Sequence, residues 1–323
     1  MKVIKSGKGK LICPPEPDKV REYMRANKKM ALVDKLMSHK DAISRFVKPN
    51  DYLGIELYGT VRCPLSLTRE IVRQGIGELR FVGQGVLDAD YLLGANLVKE
   101  MDHTYIGWEV YGTSPILRRA AESGKVKIVE WSNAALSWRM VAGAMGVPFI
   151  PTRSMLGSDT FEYSAAKVVI DPFTGEKICL LPATVLDVGI IHVHRADKFG
   201  NCEIEGIVGF ASELARASKK LLISAEEIVD NEYFKEYPDR NLIPYFLTDA
   251  IVHAPLGSHP GEMNYCYWRD DEHLKKYYDK VSTEEGMQDY FKEFIYDLAG
   301  HEQYLKKIGA NKIEELKQQA GKR

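Results

Sequence analysis

Three observations predict an α/β fold, an open and mainly parallel sheet with helices on both faces. Strand-like and helix-like segments alternate from about residue 51 to residue 224, the rhythm of βαβ units. The composition is ordinary globular, 45% hydrophobic and 28% charged. A chain of 323 residues is also long enough to bury a full core.

Residues 1–37 read as a basic N-terminal arm or poorly anchored extension, with Pro14, Pro15 and Pro17 close together. The remainder, 38–323, reads as a single α/β domain. Ser38 caps a helix from His39 to about Phe46, with Asp41 in the first turn, where the helix dipole favours it. Asp51 to Tyr58 reads as a strand. A helix follows from Leu65 to Gln74, opened by Pro64 and closed by Gly75. Glu78 to Val82 is a short strand that runs into Gly83-Gln84-Gly85. His103 to Val110 is a further strand candidate, and Val126 to Trp131 another, leading to a helix over Ala134 to Ala144. A hairpin or sheet insertion is expected around 159–182, where Asp171-Pro172-Phe173-Thr174-Gly175 makes a turn between apolar runs. Val188 to Val193 and Lys220 to Ser224 resume the strands, with a helix near Gly209 to Ser218 between them. A polar helical tail covers 271–323.

Forty-four basic against 45 acidic side chains argue against a nucleic-acid partner, which selects for a basic excess. No stretch approaches the ~18 apolar residues of a membrane span, and no signal-peptide run precedes the body. Five scattered cysteines, none in a CxxC pair, fit a reducing cytoplasm. Cytoplasmic localisation is therefore expected.

Several cofactor chemistries are disfavoured. In a G-x-G-x-x-G reading of Gly83-Gln84-Gly85, Asp88 takes the place of the third glycine, and its carboxylate would repel a pyrophosphate. There is no G-x-x-x-x-G-K-[ST] segment and no G-x-S-x-G elbow. His192 and His194 share a strand face, with Asp197 and Cys202 near in sequence, yet no HxxxH or paired-cysteine spacing supports a metal. They are expected to pack at a strand end, and no metal site is expected.

Four segments taken together resemble the family I coenzyme A transferases, in particular the A (alpha) subunit of the glutaconate type. They are Glu56 to Pro64, close to G-G-F-G-x-x-G-x-P, and Glu130-Trp131-Ser132-Asn133 running to Gly146-Val147-Pro148-Phe149-Ile150-Pro151. The third is Asp187 to His192 followed by the Asp197-Lys198-Phe199-Gly200-Asn201 turn, and the fourth is Thr248 to Val252 with Gly257-Ser258-His259-Pro260. The resemblance implies an enzyme that passes coenzyme A between an acyl-CoA and a carboxylic acid through a glutamyl-CoA thioester. Coenzyme A is then a substrate, no cofactor is bound permanently, and the attacking glutamate belongs to a partner B subunit. This chain would wall the cleft with Tyr58, Gly59, Gly83, Gln84, Gly85, Glu109, Glu130 and Asn133.

The family's paired glycines are replaced here by Glu56-Leu57. That departure motivates an alternative, a CoA-thioester or ring-opening hydrolase on the same scaffold. A non-catalytic metabolite-binding module is a second alternative. If this chain carries a chemical carboxylate, Glu109, Glu130 and Glu56 are the candidates. Glu109 is flanked by aromatic residues expected to bury it. Arg62, Arg118, Arg119 and Arg153 are candidate binders of a substrate carboxylate, and His259 is expected to orient a ligand or brace its turn.

Overall fold

Near-continuous apolar strands, covered on both faces, build the centre of the molecule. The computed structural model describes residues 2–321 and, within them, all side chains but those of Leu57 and Tyr58. The chain opens with β1 (Val3–Ser6) and α1 (Pro17–Asn27), then α2 (His39–Phe46), β2 (Tyr52–Gly59) and α3 (Leu65–Gln74). It continues through β3 (Leu79–Gly85), α4 (Val86–Gly94), β4 (Val98–His103), α5 (Pro115–Ser123), β5 (Lys127–Glu130) and α6 (Asn133–Met145). After β6 (Phe149–Thr152) and α7 (Asp159–Tyr163) come β7 (Lys167–Ile170), β8 (Lys177–Pro182), β9 (Leu186–Asp197) and β10 (Cys202–Glu203). Next are α8 (Ala211–Ala217), β11 (Ser218–Val229), α9 (Asn231–Glu236) and β12 (Ala250–His253). The tail is α10 (Asp271–Val281), α11 (Glu284–Phe291), α12 (His301–Ile308) and α13 (Ala310–Ala320).

The main sheet runs β12-β11-β9-β2-β3-β4-β5, parallel throughout, with β10 turned back antiparallel on β9. Alternation along each strand divides the core. Leu53, Ile55, Phe81 and Ile190 meet α2 to α5 and the tail helices. Tyr52, Val82, Ile191 and Val193 meet α6, α8 and a second, antiparallel sheet of order β1-β7-β8-β6. Local signals set the helix ends: the Ser38, Ser114 and Ser132 hydroxyls accept from the N–H groups of Asp41, Leu117 and Ala135. Gly75, Gly124 and Gly146 close their helices in the left-handed conformation.

Some sequence expectations are corrected. The strand expected over His103 to Val110 lies earlier, at Val98–His103, and Glu109–Tyr111 forms a single 3-10 turn. Helix α4 sits directly after Gly85, where no helix was expected. Residues 1–37 are tied down. Strand β1 pairs with β7, Leu36 bridges Ile251 of β12, and the Lys28 ammonium pairs with Asp249 while donating to the Leu247 carbonyl at 2.7 Å.

Candidate active site at the strand carboxyl ends

From β2 the chain steps outward through β3, β4 and β5, then returns to the other side of β2 as β9. The carboxyl ends of β2 and β9 therefore flank the switch point, where an open α/β sheet leaves a crevice. Arg62 fills that crevice. Its guanidinium is fully buried, donates to the His192 carbonyl at 2.7 Å and to Val208 O at 3.1 Å, and pairs with Glu56 at 2.5 Å. Glu56 and Leu57 are the two residues at which β2 slips its register against β3, between the Ile55–Gly83 and Tyr58–Gln84 pairs. The bulge leaves Glu56 with no exposure, and burial pushes its carboxyl up to about 7 against the pull of Arg62. Neither Glu56 nor Arg62 is free to meet a substrate.

The open space lies one strand further along. Gln84, at the end of β3, donates its amide to the Asn133 carbonyl at 3.2 Å, and the Asn133 side chain accepts from Thr104 at the end of β4. Gln84 and Asn133, with Ala134, Ser137, Gly209 and Phe210, line a cavity of about 300 Å³. Gly59 has a φ of 62° with nothing within 4 Å of where a Cβ would stand, so the end of β2 meets open space. Gly59 also edges a second, smaller cavity shared with Thr60, Glu109, Arg269 and Asp271.

Gly59, Gln84 and Asn133 are thus brought together, since the Gly59–Gly85 and Tyr58–Gln84 pairs hold the ends of β2 and β3 side by side. The Tyr58 side chain lies outside the described residues. Gly83 is packed beneath, where a Cβ would stand 2.7 Å from the Phe81 ring. Glu130 ends β5 and lines neither cavity. Glu109 is exposed rather than buried, held at a φ of 48° in its turn. Its aromatic neighbours turn away, Trp108 packing 5.4 Å from Tyr277 and Tyr111 stacking 5.5 Å from Tyr278.

Among the arginines, Arg119 holds the tail through the Val281 and Ser282 carbonyls, Arg118 donates to Thr113, and Arg153 points to solvent. None of them lines the cavities; Arg269 does, held by Asp271 at 2.7 Å. Only the tertiary fold brings Arg269 to Glu109. His192 is held by Ser224 and Glu226, His194 by the Asn264 carbonyl and the Glu205 N–H. His259 braces its turn through Tyr304 and Asp270.

Residues 36–254 match the coenzyme A transferase family. The chain belongs to that family. It is 34% identical over 305 residues to the A chain of the glutaconate CoA-transferase of Acidaminococcus fermentans, covering 88% of this chain and 95% of that one. The crystal structure of the Acidaminococcus fermentans glutaconate coenzyme A-transferase superimposes with a TM-score of 0.85 over 87% of this chain and 95% of that chain. The corresponding polypeptide of the 3-oxoadipate CoA-transferase of Pseudomonas knackmussii is 31% identical, covering 86% of this chain and 99% of its own. A cholesterol ring-cleaving hydrolase polypeptide of Rhodococcus jostii is 26% identical over 81% of this chain and 92% of its own. The transferases are the nearer of these relatives.

Within this coenzyme A transferase the Asp197–Asn201 turn is structural. Asp197 Oδ1 accepts from three successive N–H groups, of Phe199, Gly200 and Asn201, at 2.8–3.0 Å. The floor under the cleft is held by two buried acids of α4. Asp90 accepts from Trp108 at 3.1 Å and from Ser114, clamping both sides of the Glu109 turn. Asp88 accepts from Thr68, while its other oxygen stands 2.6 Å from where a Cβ on Gly85 would be. A side chain at position 85 would require the Asp88 carboxyl to shift.

Burial pushes both carboxyls up to about 7 from 3.8. The folded state therefore holds more protons than the unfolded one between these values. Their contribution to stability is complete below about pH 4 and is lost as pH rises through about 7. In Asp88→Asn that share is absent. Urea unfolding across this range should show wild-type stability falling more steeply than that of the variant; parallel curves would refute the assignment.

Proposed function

We propose that this chain is the A (alpha) subunit of a coenzyme A transferase, walling the acyl cleft at the carboxyl ends of β2, β3 and β4. The observation that carries the reading is a cavity wall at Gln84 and Asn133 that offers hydrogen-bond donors and, among the described residues lining it, no carboxylate; Glu109 edges only the smaller cavity. Gln84 and the exposed turn at Asn133 meet there, while Glu56 is locked to Arg62 and Glu130 stands outside. A glutamate from a partner B subunit supplies the missing carboxylate. Apolar side chains on the surrounding elements stay exposed in the isolated chain, Val110 at 83%, Tyr265 at 74%, Trp138 at 40% and Ile207 at 40%. They offer the partner a surface to bury.

In the reaction the partner's carboxylate oxygen attacks the thioester carbonyl, the C–S bond breaks and CoA leaves as thiolate. The thiolate then attacks the enzyme-side carbonyl of the mixed anhydride, releasing the first acid as its carboxylate and forming the glutamyl-CoA thioester. The acceptor acid reverses the two steps and departs as acyl-CoA. Each tetrahedral intermediate places negative charge on an oxygen, and a fixed amide donor such as Gln84 stabilises it. Arg269 is the cation at the cavity edge suited to a free carboxylate on a dicarboxylic substrate. Coenzyme A is substrate throughout. Five free cysteines support a reducing, cytoplasmic setting.

The test incubates this chain by itself, its B partner by itself, and both together with a panel of acyl-CoA donors and carboxylic acids. Exchange is expected only with both chains and an acceptor acid. Exchange by this chain without its partner would overturn the division of labour. Product formed without an acceptor would favour the hydrolase.

A further inference from the structure

A cavity of about 670 Å³ lies between α2, the end of β12 and α12, apart from the cleft, and is lined by His39, Glu70, His253, His301 and Glu302 among others. We propose that it is a binding site for one divalent transition-metal ion of the zinc class, held by His39 and His301.

The imidazole chemistry carries the inference. His301 is 8% exposed, and its Nε2 donates to the Pro255 carbonyl at 2.7 Å. That bond places the proton on Nε2 and leaves the lone pair on Nδ1. Nδ1 is buried and has no partner. A backbone carbonyl orienting the far nitrogen is the support that metal-bound histidines recurrently have. His39 lies beside it, ring centroids 5.1 Å apart, and its Nε2 is likewise buried without a partner. Two unused ring nitrogens on neighbouring side chains, in one cavity, cost free energy unless something fills them.

Burial and the charges of Arg69 and Arg73 hold His39 unprotonated, down to about 3, and burial with the charge of Arg69 holds His301 below its ordinary value. The neutral ring is the form a metal binds. The same two cations oppose a third. Arg73 is neutralised by Glu70, which also lines the cavity, as does Glu302. Imidazole nitrogen suits zinc, copper, nickel and cobalt. Two imidazoles with water completing the shell make an open site, unlike the closed four-ligand set of a structural zinc.

A second group, His259, Asp270 and His273, has its ligand atoms close together as well. Three of its four ring nitrogens are engaged: both of His259, with Tyr304 and Asp270, and His273 Nε2, with Tyr290 at 2.7 Å. A metal there would have to displace bonds already made.

The experiment titrates metal-free full-length chain with Co²⁺ and then Zn²⁺. One equivalent of Co²⁺ is expected to bind with a visible ligand-field band, bleached when Zn²⁺ displaces it. His39→Gln and His301→Gln should each weaken binding more than about tenfold, while His259→Gln should not. A readout on the unaltered protein guards against misfolded variants. Zn²⁺ should shift the imidazole ¹⁵N signals of two histidines, one at Nδ1 and the other at Nε2. No binding by the wild type, wild-type affinity in both cavity variants, or loss only in His259→Gln would overturn the site.

Discussion

Glu56→Ala is expected to cost the folded chain about 3–5 kcal/mol, among the largest effects available to a single substitution here. The carboxylate is the acidic partner of the Arg62 guanidinium at the switch point, and neither side chain is exposed. Removing it leaves a cation sealed between the His192 and Val208 carbonyls, with no water to replace the lost charge. The pair itself is worth much less than this loss. Taking both ions out of water is costly, so Glu56→Ala combined with Arg62→Met should recover most of the stability. Urea unfolding of the two single variants and the double variant tests this. A loss below about 1 kcal/mol in Glu56→Ala would show the pair to be solvated. A double variant as unstable as the sum of the singles would show the two residues acting independently.

The same pair shows where sequence reading stopped. The family resemblance sets paired glycines at the end of β2, and a glutamate in their place reads as a candidate chemical carboxylate. Its fate depends on a register slip between Ile55 and Tyr58, and on a loop at Val208, 146 residues from Arg62. Neither is a local property. The sheet was legible because strand and helix periods alternate and because serine caps and left-handed glycines punctuate them. Helix α4 escaped for a physical reason: all of its residues, Val86 to Gly94, are buried, so it has no polar face to mark a period. Strand β1 escaped for the opposite one. All four of its residues are exposed, and it is placed by backbone pairing to β7. At the site, Gln84 and Asn133 were legible as polar residues at a strand end and a helix start. Phe210 and Arg269 were not, because only the folding of distant loops carries them to the cavities.

Gln84→Ala is expected to lower kcat of the assembled transferase by about 10²- to 10³-fold, equivalent to roughly 2.7–4 kcal/mol of transition-state stabilisation. The amide is 4% exposed and fixed against the Asn133 carbonyl, so it is held in place before the substrate arrives. The second N–H of an amide held in this way need not reorganise when negative charge builds on the thioester oxygen. Because that charge is absent from the bound substrate, KM should change little while kcat falls. Asn133→Ala should have a smaller effect in the same direction, since the partner of the Gln84 amide is a main-chain carbonyl that survives the substitution. Ser137→Ala, on the same cavity wall, has no charge to stabilise; its hydroxyl donates to the Asn133 carbonyl at 3.1 Å, and activity should stay within a few fold. Steady-state kinetics with both chains and a saturating acceptor acid separate the cases. A Gln84→Ala enzyme with unaltered kcat and raised KM would make Gln84 a ground-state binding contact. The oxyanion would then have to be met by backbone N–H groups at the strand ends.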